Sequence, residues 1–245
     1  MNTLSKGCQT KFWDGKYFIK IDSPGWYESI SEILASEVQR FIVDGWSYVD
    51  YEYMEYKGFG ACRSKNFVPY GYSVVSLKSL LDASEMNIDY SEDPYSLKNI
   101  IVGIMNVVYD INIENYLSYM IYLDALLLNE DRHLRNISFL RNSKGRIISC
   151  PIYDFGLGLL SFYNEVIDYS KILAQPFNLS FVEQCKMFGN PNIKINQEGL
   201  VKSLKMAYNN PKEYVSSFNS ERLKFAIKLL VNRLKETEGI LWTRA

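Results

Sequence analysis

The chain has 245 residues, of which 47% are hydrophobic and 22% charged, and its formal net charge is -1 at pH 7. This length allows one large domain or two small lobes around a substantial core. The near-neutral charge gives no sign of a nucleic-acid-binding or polybasic membrane-binding surface. The four cysteines are far apart and form no CxxC pair, so neither a zinc site nor a disulfide framework is predicted.

The sequence also shows no targeting or membrane segment. Its first residues lack the apolar core of a signal peptide, and no run approaches the roughly 20 apolar residues that a membrane helix needs. We therefore expect a soluble protein in the cytoplasm, with neither nucleic acid nor a membrane as a partner.

The chain begins with the pattern of a β-hairpin. Residues 5–21 contain two short apolar runs rich in aromatic residues, and Asp14-Gly15 between them is a hairpin turn signal. Lys20 ends the second predicted strand. Protein kinases use a strand lysine of this kind to hold the phosphates of ATP.

A turn of small residues precedes this hairpin at residues 5–9. Gly7, Cys8 and Gln9 lie where backbone N–H groups could approach a phosphate. One glycine is weak evidence by itself, and an ordinary turn explains the same pattern.

Residues 27–45 predict a helix, because their apolar residues recur at helical spacing. A glutamate on this helix could pair with Lys20, as in kinases. Glu32 lies next to the apolar stripe and is the candidate partner, with a solvated surface position as the alternative. For Glu28 and Glu37 the surface position is favoured.

The middle of the chain changes from strands to helices. Residues 46–62 predict two more strands, residues 62–78 an irregular junction, and residues 74–81 the start of a helical part. We accordingly expect an N-lobe at 1–70 and a C-lobe at 71–245.

Helices dominate from about residue 95. Residues 97–111 predict one helix, and residues 113–129 predict another that is apolar on nearly all sides and therefore buried. Residues 161–189 mix short helices and loops. Two amphipathic helices follow at 197–210 and 216–240.

Polar residues flank a predicted hairpin between these helical parts. Residues 137–140 and 146–150 predict its strands, with a turn between them. Asp131 and Asn136 precede the hairpin and Asp154 follows it. Because a hairpin brings its two ends together, these three side chains can flank one site.

Phosphoryl transfer requires this combination of groups. One carboxylate takes the proton of the attacking hydroxyl, while a second carboxylate and a carboxamide oxygen hold Mg²⁺. Asp131 precedes Asn136 by the separation found in kinase catalytic loops, and Asp154-Phe155-Gly156 matches the D-F-G metal element.

These motifs resemble one family. NEDRHLRNISFL followed by PIYDFG closely resembles the catalytic and metal-binding segments of HipA-like serine/threonine kinases, and GCQTKFWDGKYFIK resembles their phosphate loop and nucleotide-binding strand. AQPFN at 174–178 resembles a segment that follows their activation loop. The resemblance implies an α+β, two-lobed protein-kinase-like fold with a small β-rich N-lobe and a helical C-lobe. It also implies ATP and Mg²⁺ as cofactors and a protein Ser/Thr hydroxyl as acceptor.

The same resemblance implies individual roles. Asp131 would be the catalytic base, and Asn136 and Asp154 would hold Mg²⁺. Five residues would contribute to ATP binding: Lys20, Glu32, Gly7, Cys8 and Gln9.

The sequence starts almost on the predicted phosphate loop. In this respect the chain resembles a CtkA-like branch of the family, which lacks the extra N-terminal subdomain of HipA. A toxin role and a cognate antitoxin or other regulator therefore stay open, as does secretion into a host cell as an effector. Autophosphorylation at Ser5 or Thr10 would add negative charge beside the ATP phosphates and weaken ATP binding.

Several alternatives remain at this point. A lipid or small-molecule kinase would use the same residues, since the D-R-H order is shared with phosphatidylinositol kinases. A pseudokinase binding module is a third reading, although Lys20, Asp131, Asn136 and Asp154 are all present. Arg132 could bind phosphate or a carboxylate. For His133, a structural role that supports the catalytic loop is favoured over a role as general base or metal ligand.

Overall fold

The computed structural model describes residues 9–163, 167–189, 191 and 193–241, with only the backbone from 237 to 241. The predicted phosphate-loop residues Gly7 and Cys8, and the possible phosphorylation site Ser5, lie outside the described residues.

The described part of the chain contains eleven β-strands and seven α-helices. The strands are β1 (Thr10–Trp13), β2 (Tyr17–Ile21), β3 (Ile42–Val43), β4 (Glu52–Tyr56), β5 (Phe59–Lys65), β6 (Tyr72–Ser76), β7 (Ser138–Asn142), β8 (Ile147–Ser149), β9 (Leu173–Ala174), β10 (Leu179–Ser180) and β11 (Lys194–Ile195). The helices are α1 (Glu28–Arg40), α2 (Leu77–Ala83), α3 (Pro94–Tyr109), α4 (Glu114–Leu127), α5 (Phe181–Phe188), α6 (Gln197–Asn209) and α7 (Ser220–Leu241).

The N-terminal strands form an antiparallel sheet in the order β1-β2-β5-β4. The expected first hairpin is confirmed, because β1 and β2 pair directly across the turn at Asp14 and Gly15. The carboxylate of Asp14 accepts the backbone N–H groups of Lys16 and Tyr17 at 2.8 and 2.7 Å. Gly15 takes a φ of +98°, a conformation that side-chain-bearing residues rarely adopt.

A second sheet has the order β6-β7-β8 and contains the hairpin predicted at 137–150. The expectation that the helical part starts near residue 74 is wrong. Residues 72–76 instead form strand β6, in which Val75 pairs with Phe139 of β7. β-branched residues suit such a pleated surface. Helix α2 starts only after Ser76, whose hydroxyl accepts the N–H of Ser79 as an N-cap.

The core is built around α4, as its apolar sequence predicts. Leu123, Leu126 and Leu127 on this helix are fully buried, and α4 packs against α5 and α7. Helix α1 joins the same core through Ile30, which is 1% exposed. A helix that carries a predicted ATP-binding residue is therefore anchored to the core that also supports the β7–β8 hairpin.

Within the ranges that the structure describes, no helix is both long enough and apolar enough to cross a membrane.

Candidate active site

A cavity lies where α1 and the β1 strand face the two ends of the β7–β8 hairpin. Gln9, Asp131, Asn136 and Asp154, four of the predicted site residues, line it. The full lining is Gln9, Lys11, Glu28, Asn129, Asp131, His133, Asn136, Asp154, Gly156 and Leu157. The hairpin thus brings its entry and exit residues to one site, as its topology requires.

Lys20 lies behind this cavity in a buried ion cluster. Its ammonium is 2.5 Å from Glu32 Oε1 and 2.9 Å from Asp154 Oδ1. Burial alone would lower the pKa of Lys20, but the two carboxylates Asp154 and Glu32 raise it well above its usual value. The ammonium also lies 4.9 Å from the centre of the Tyr51 ring, in cation–π contact. Lys20 is therefore a fixed positive charge.

Helix α1 is joined directly to the Asp154-Phe155-Gly156 segment. The second carboxylate oxygen of Glu32 accepts the N–H of Phe155 at 3.1 Å, and the hydroxyl of Ser31 donates to the carbonyl of Phe155 at 2.6 Å. Gly158 allows this close approach, since a Cβ there would lie 2.7 Å from Ser31 Oγ. One helix thus positions both the lysine and the segment that carries Asp154.

Asp154 combines an unusual backbone with a stable negative charge. Its φ is +70°, in the left-handed region that non-glycine residues seldom occupy. Burial would raise the pKa of its carboxyl, but Lys20 and then Lys11 hold that pKa well below the usual range. The carboxylate is consequently ionised at every physiological pH.

Asp131 has the opposite electrostatic environment. Burial raises the pKa of Asp131 above its usual value, and the negative charge of Asp154 adds to this rise, while His133 opposes it. The Asn136 amide donates from Nδ2 to the backbone carbonyl of Asp131 at 2.9 Å. This bond fixes the amide so that its Oδ1 is the end left to accept a ligand.

Arg132 pairs with a carboxylate, which resolves the question left open by the sequence. It is fully buried, and its guanidinium donates to both oxygens of Asp124 on α4 at 2.9–3.3 Å. It also donates to the carbonyls of Asn136 and Tyr153 at 3.2 and 2.8 Å. Arg132 therefore holds the two ends of the hairpin against the central helix.

His133 shapes the loop through its backbone. Its N–H donates to the carbonyl of Asp131, and its own carbonyl accepts the N–H of Asn136, both at 2.8 Å. Its buried Nδ1 has no hydrogen-bond partner within the described part of the chain. A bracing role of the imidazole itself stays a prediction.

Two further residues at the cavity were not identified from the sequence. Lys11 reaches to 3.4 Å from Asp154 Oδ1. The signal for it was present, because the register set by the Asp14-Gly15 turn places Lys11 directly opposite Lys20.

Glu28 is the second of these residues, and the expectation that it lies on the surface is wrong. It is 2% exposed, and Ser23 donates to its carboxylate from the backbone N–H at 2.6 Å and from the hydroxyl at 3.2 Å. Burial raises the pKa of Glu28 to about 7, against the effect of these hydrogen bonds. Glu37 is partly exposed and pairs with Arg40 at 2.7 Å.

Comparison with solved structures identifies the architecture. The proinflammatory kinase CtkA of Helicobacter pylori superposes with a TM-score of 0.62 at 18% identity, over 96% of this chain and 93% of that protein. The fold is kinase-like. The expected likeness to CtkA-like kinases is thereby confirmed at the level of the fold.

A second solved structure is HipA of Shewanella oneidensis MR-1, in a complex of a toxin–antitoxin system with HipB and its operator DNA. It superposes with a TM-score of 0.49 at 12% identity, over 96% of this chain and 65% of that protein. No protein-family model and no curated protein sequence matches this chain. The expectation that the chain has no nucleic-acid partner gains no support from these comparisons.

The donor set at the cavity fits a magnesium nucleotide. Among the described residues, no group of three or more His, Cys, Asp or Glu side chains forms a metal site. The available ligands are instead the ionised carboxylate of Asp154 and the Oδ1 of Asn136, both hard oxygen donors that line the cavity. Two protein ligands suit a Mg²⁺ ion that completes its shell with phosphate and water oxygens.

Proposed function

We propose that this chain is a kinase that transfers the γ-phosphoryl group of ATP, with Mg²⁺, to Ser or Thr hydroxyls of a protein. The observation that carries the proposal is the contact of one buried lysine with two functional carboxylates. Lys20 touches both Glu32 and Asp154, and Asp154 faces the cavity that Asp131 also lines. Phosphoryl transfer depends on such positioned charges more than on covalent chemistry by the protein.

On the ATP side, Lys20 binds the α- and β-phosphates, and Glu32 keeps its ammonium in place. Lys11 lies closer to solvent and supplies a second cation beside Asp154. Gln9 lines the same cavity. Gly7 and Cys8, which lie outside the described residues, would bind the phosphates together with it.

Asp154 and Asn136 would hold the metal ion. When bound there, Mg²⁺ would supply charge neutralisation and orientation for the transferred phosphoryl group. The chain's own contribution is to keep Asp154 ionised through Lys20 and Lys11 and to fix the Asn136 amide through the carbonyl of Asp131.

Asp131 accepts the proton of the attacking hydroxyl. Its raised pKa makes it a better proton acceptor than an ordinary solvated aspartate. Its backbone carbonyl receives hydrogen bonds from His133 and Asn136, so the loop presents the carboxylate in a defined position.

Further parts of the proposal concern organisation and regulation. Residues 1–70 act as a nucleotide-binding lobe and residues 71–245 as a catalytic lobe, with residues 154–178 as the activation segment. Thr10 is exposed at the start of β1, and phosphate there would weaken ATP binding. A cytoplasmic location and an antitoxin or other regulator as partner belong to the same proposal.

A labelled-ATP assay with Mg²⁺ tests the function. Wild type and Asp131→Asn are each incubated with a bacterial protein extract, with phosphatidylinositol vesicles and with small alcohols. We expect Asp131-dependent label on protein Ser or Thr. Label on lipid or alcohol alone would overturn the acceptor class, and binding of ATP without transfer to any acceptor would indicate a pseudokinase.

A further inference from the structure

A second cavity opens beside the catalytic loop and takes no part in the ATP site proposed above. It has a volume of about 310 Å³, within the range of small-ligand pockets. Its walls come from α2, the loop before α3, the start of α3, the catalytic loop and the segment between β9 and β10. The lining residues are Lys78, Tyr90, Leu97, His133, Leu134, Arg135, Gln175 and Pro176.

This cavity adjoins the site of Asp131 through one shared residue. His133 lines both cavities, two positions after Asp131 in the chain. A group bound in the second cavity is thus close to the carboxylate that would take the acceptor's proton. A polypeptide with its acceptor hydroxyl at Asp131 can therefore extend into this cavity.

Backbone hydrogen bonds hold the walls in place without a ligand. The N–H of Lys78 donates to the carbonyl of Leu134 at 3.1 Å, and the N–H of Gln175 donates to the carbonyl of Glu130 at 2.9 Å. The side chain of Gln184 in turn donates to the carbonyl of Ala174 at 2.6 Å. Both sides of the cavity are therefore attached to the folded core, and little ordering is needed when a ligand binds.

The charged side chains that line this second cavity are positive. Lys78 already pairs with Asp82, and its ammonium lies 4.8 Å from the centre of the Tyr90 ring. Arg135 is exposed and makes no ion pair with any described residue. Among the residues that the structure describes, no carboxylate lines the cavity, so the guanidinium of Arg135 is the charge available to a ligand.

We infer that this cavity binds the acceptor polypeptide and selects one with an acidic side chain close to the hydroxyl. Arg135 pairs with that carboxylate, since a guanidinium matches a carboxylate in shape and charge. The apolar surface of Leu97, Leu134 and Pro176 contacts the rest of the segment. The inference rests on the proposed kinase function and adds the substrate class to it.

Serine nonamer peptides test this selection. Each has an alanine background, a central serine and Glu, Ala or Lys at one of the three positions on either side. For wild type we expect kcat/KM at one position to be at least about tenfold higher with Glu than with Ala, as a charge-assisted hydrogen bond provides. Arg135→Gln should bring this ratio close to one, and Arg135→Glu should reverse the preference to Lys. Arg146→Gln, an exposed arginine in the β7–β8 turn, should retain the wild-type ratio.

The result that overturns the inference is an equal Glu-to-Ala ratio in wild type and Arg135→Gln, or no position at which wild type prefers Glu. Either result leaves the proposed kinase function intact if transfer occurs. If no peptide is phosphorylated, binding of the fluorescein-labelled Glu peptides without ATP decides the question. Fluorescence anisotropy should then show weaker binding to Arg135→Gln than to wild type, and equal binding would overturn the inference.

Discussion

Lys20 and Asp154 lie 134 positions apart in the sequence, yet the ammonium of one is 2.9 Å from the carboxylate of the other. The contact joins a strand of the first sheet to the segment after the β7–β8 hairpin. Glu32 on α1 completes the cluster from a third element. The charges proposed to bind ATP and Mg²⁺ are therefore already positioned by the fold.

Replacement of Lys20 should weaken both folding and ATP binding. In Lys20→Met, Glu32 loses the cation next to its buried carboxylate, and loss of one partner of a buried pair costs about 3–5 kcal/mol. We expect a fall of that order in the free energy of unfolding, measured by urea denaturation, and loss of ATP binding. Lys65→Met is the control, because Lys65 is exposed on β5. Unchanged stability and ATP affinity in Lys20→Met would contradict the assignment.

The Arg132–Asp124 pair should stabilise the catalytic loop. Asp124→Leu leaves a fully buried guanidinium without its carboxylate, and Arg132→Met leaves the carboxylate without its cation. We expect each single variant to lose about 3–5 kcal/mol of unfolding free energy and the double variant to lose less than the sum. A double-mutant cycle by chemical denaturation measures this, and strict additivity would show that the two groups are not coupled.

Stability should fall as pH rises toward neutrality because of Glu28. Its pKa in the folded chain is about 7 against a usual value of 4.5, so between these values the folded chain holds a proton that the unfolded chain releases. The stabilisation is complete below about pH 4.5 and is lost by about pH 7, a change of about 3 kcal/mol.

Urea denaturation from pH 4.5 to 8 tests this dependence. Glu28→Gln keeps an oxygen that can accept the Ser23 N–H, and it should reduce the slope of the unfolding free energy against pH. Asp22→Asn is a matched variant, since burial also raises the pKa of Asp22, to about 6. Asp22→Asn should remove a smaller part of the pH dependence of stability, and over a lower pH range. Equal slopes in wild type and Glu28→Gln would exclude the buried carboxyl as the cause.

Arg222 on α7 should hold the segment that follows Asp154-Phe155-Gly156. It donates to the carbonyls of Leu159 and Tyr163 at 3.1 and 3.3 Å and to that of Leu160. Burial lowers the pKa of Arg222 to about 10, so it stays charged near neutral pH.

We expect Arg222→Met to speed amide hydrogen exchange in residues 156–163 and to reduce phosphoryl transfer, with Arg222→Lys intermediate. Exchange mass spectrometry provides the readout, and Lys228→Met on the same helix is the control. Wild-type protection of this segment in Arg222→Met would refute the anchoring role.

Local patterns were sufficient to predict which side chains come together at the candidate site. Asp14-Gly15 set the first hairpin, and the hairpin after Asn136 explained why Asp131 and Asp154 face one cavity. The burial of Glu28 was not predictable, because α1 packs there against Gly156, more than 120 residues further along the chain. The partner of Arg132 is likewise contributed by the central helix, and β6 pairs with a strand more than 60 residues away. Such contacts are set by tertiary packing, which short sequence patterns do not encode.

The most direct test of the account is the rate of phosphoryl transfer by Asp131→Asn. A general base contributes about 10²–10⁴-fold to a rate, and Asn keeps the shape of the side chain while removing its basicity. We expect transfer to protein Ser or Thr to fall by at least about 100-fold, with an unchanged melting temperature and retained ATP binding. Transfer at the wild-type rate would contradict the assignment of Asp131 and with it the proposed catalytic site.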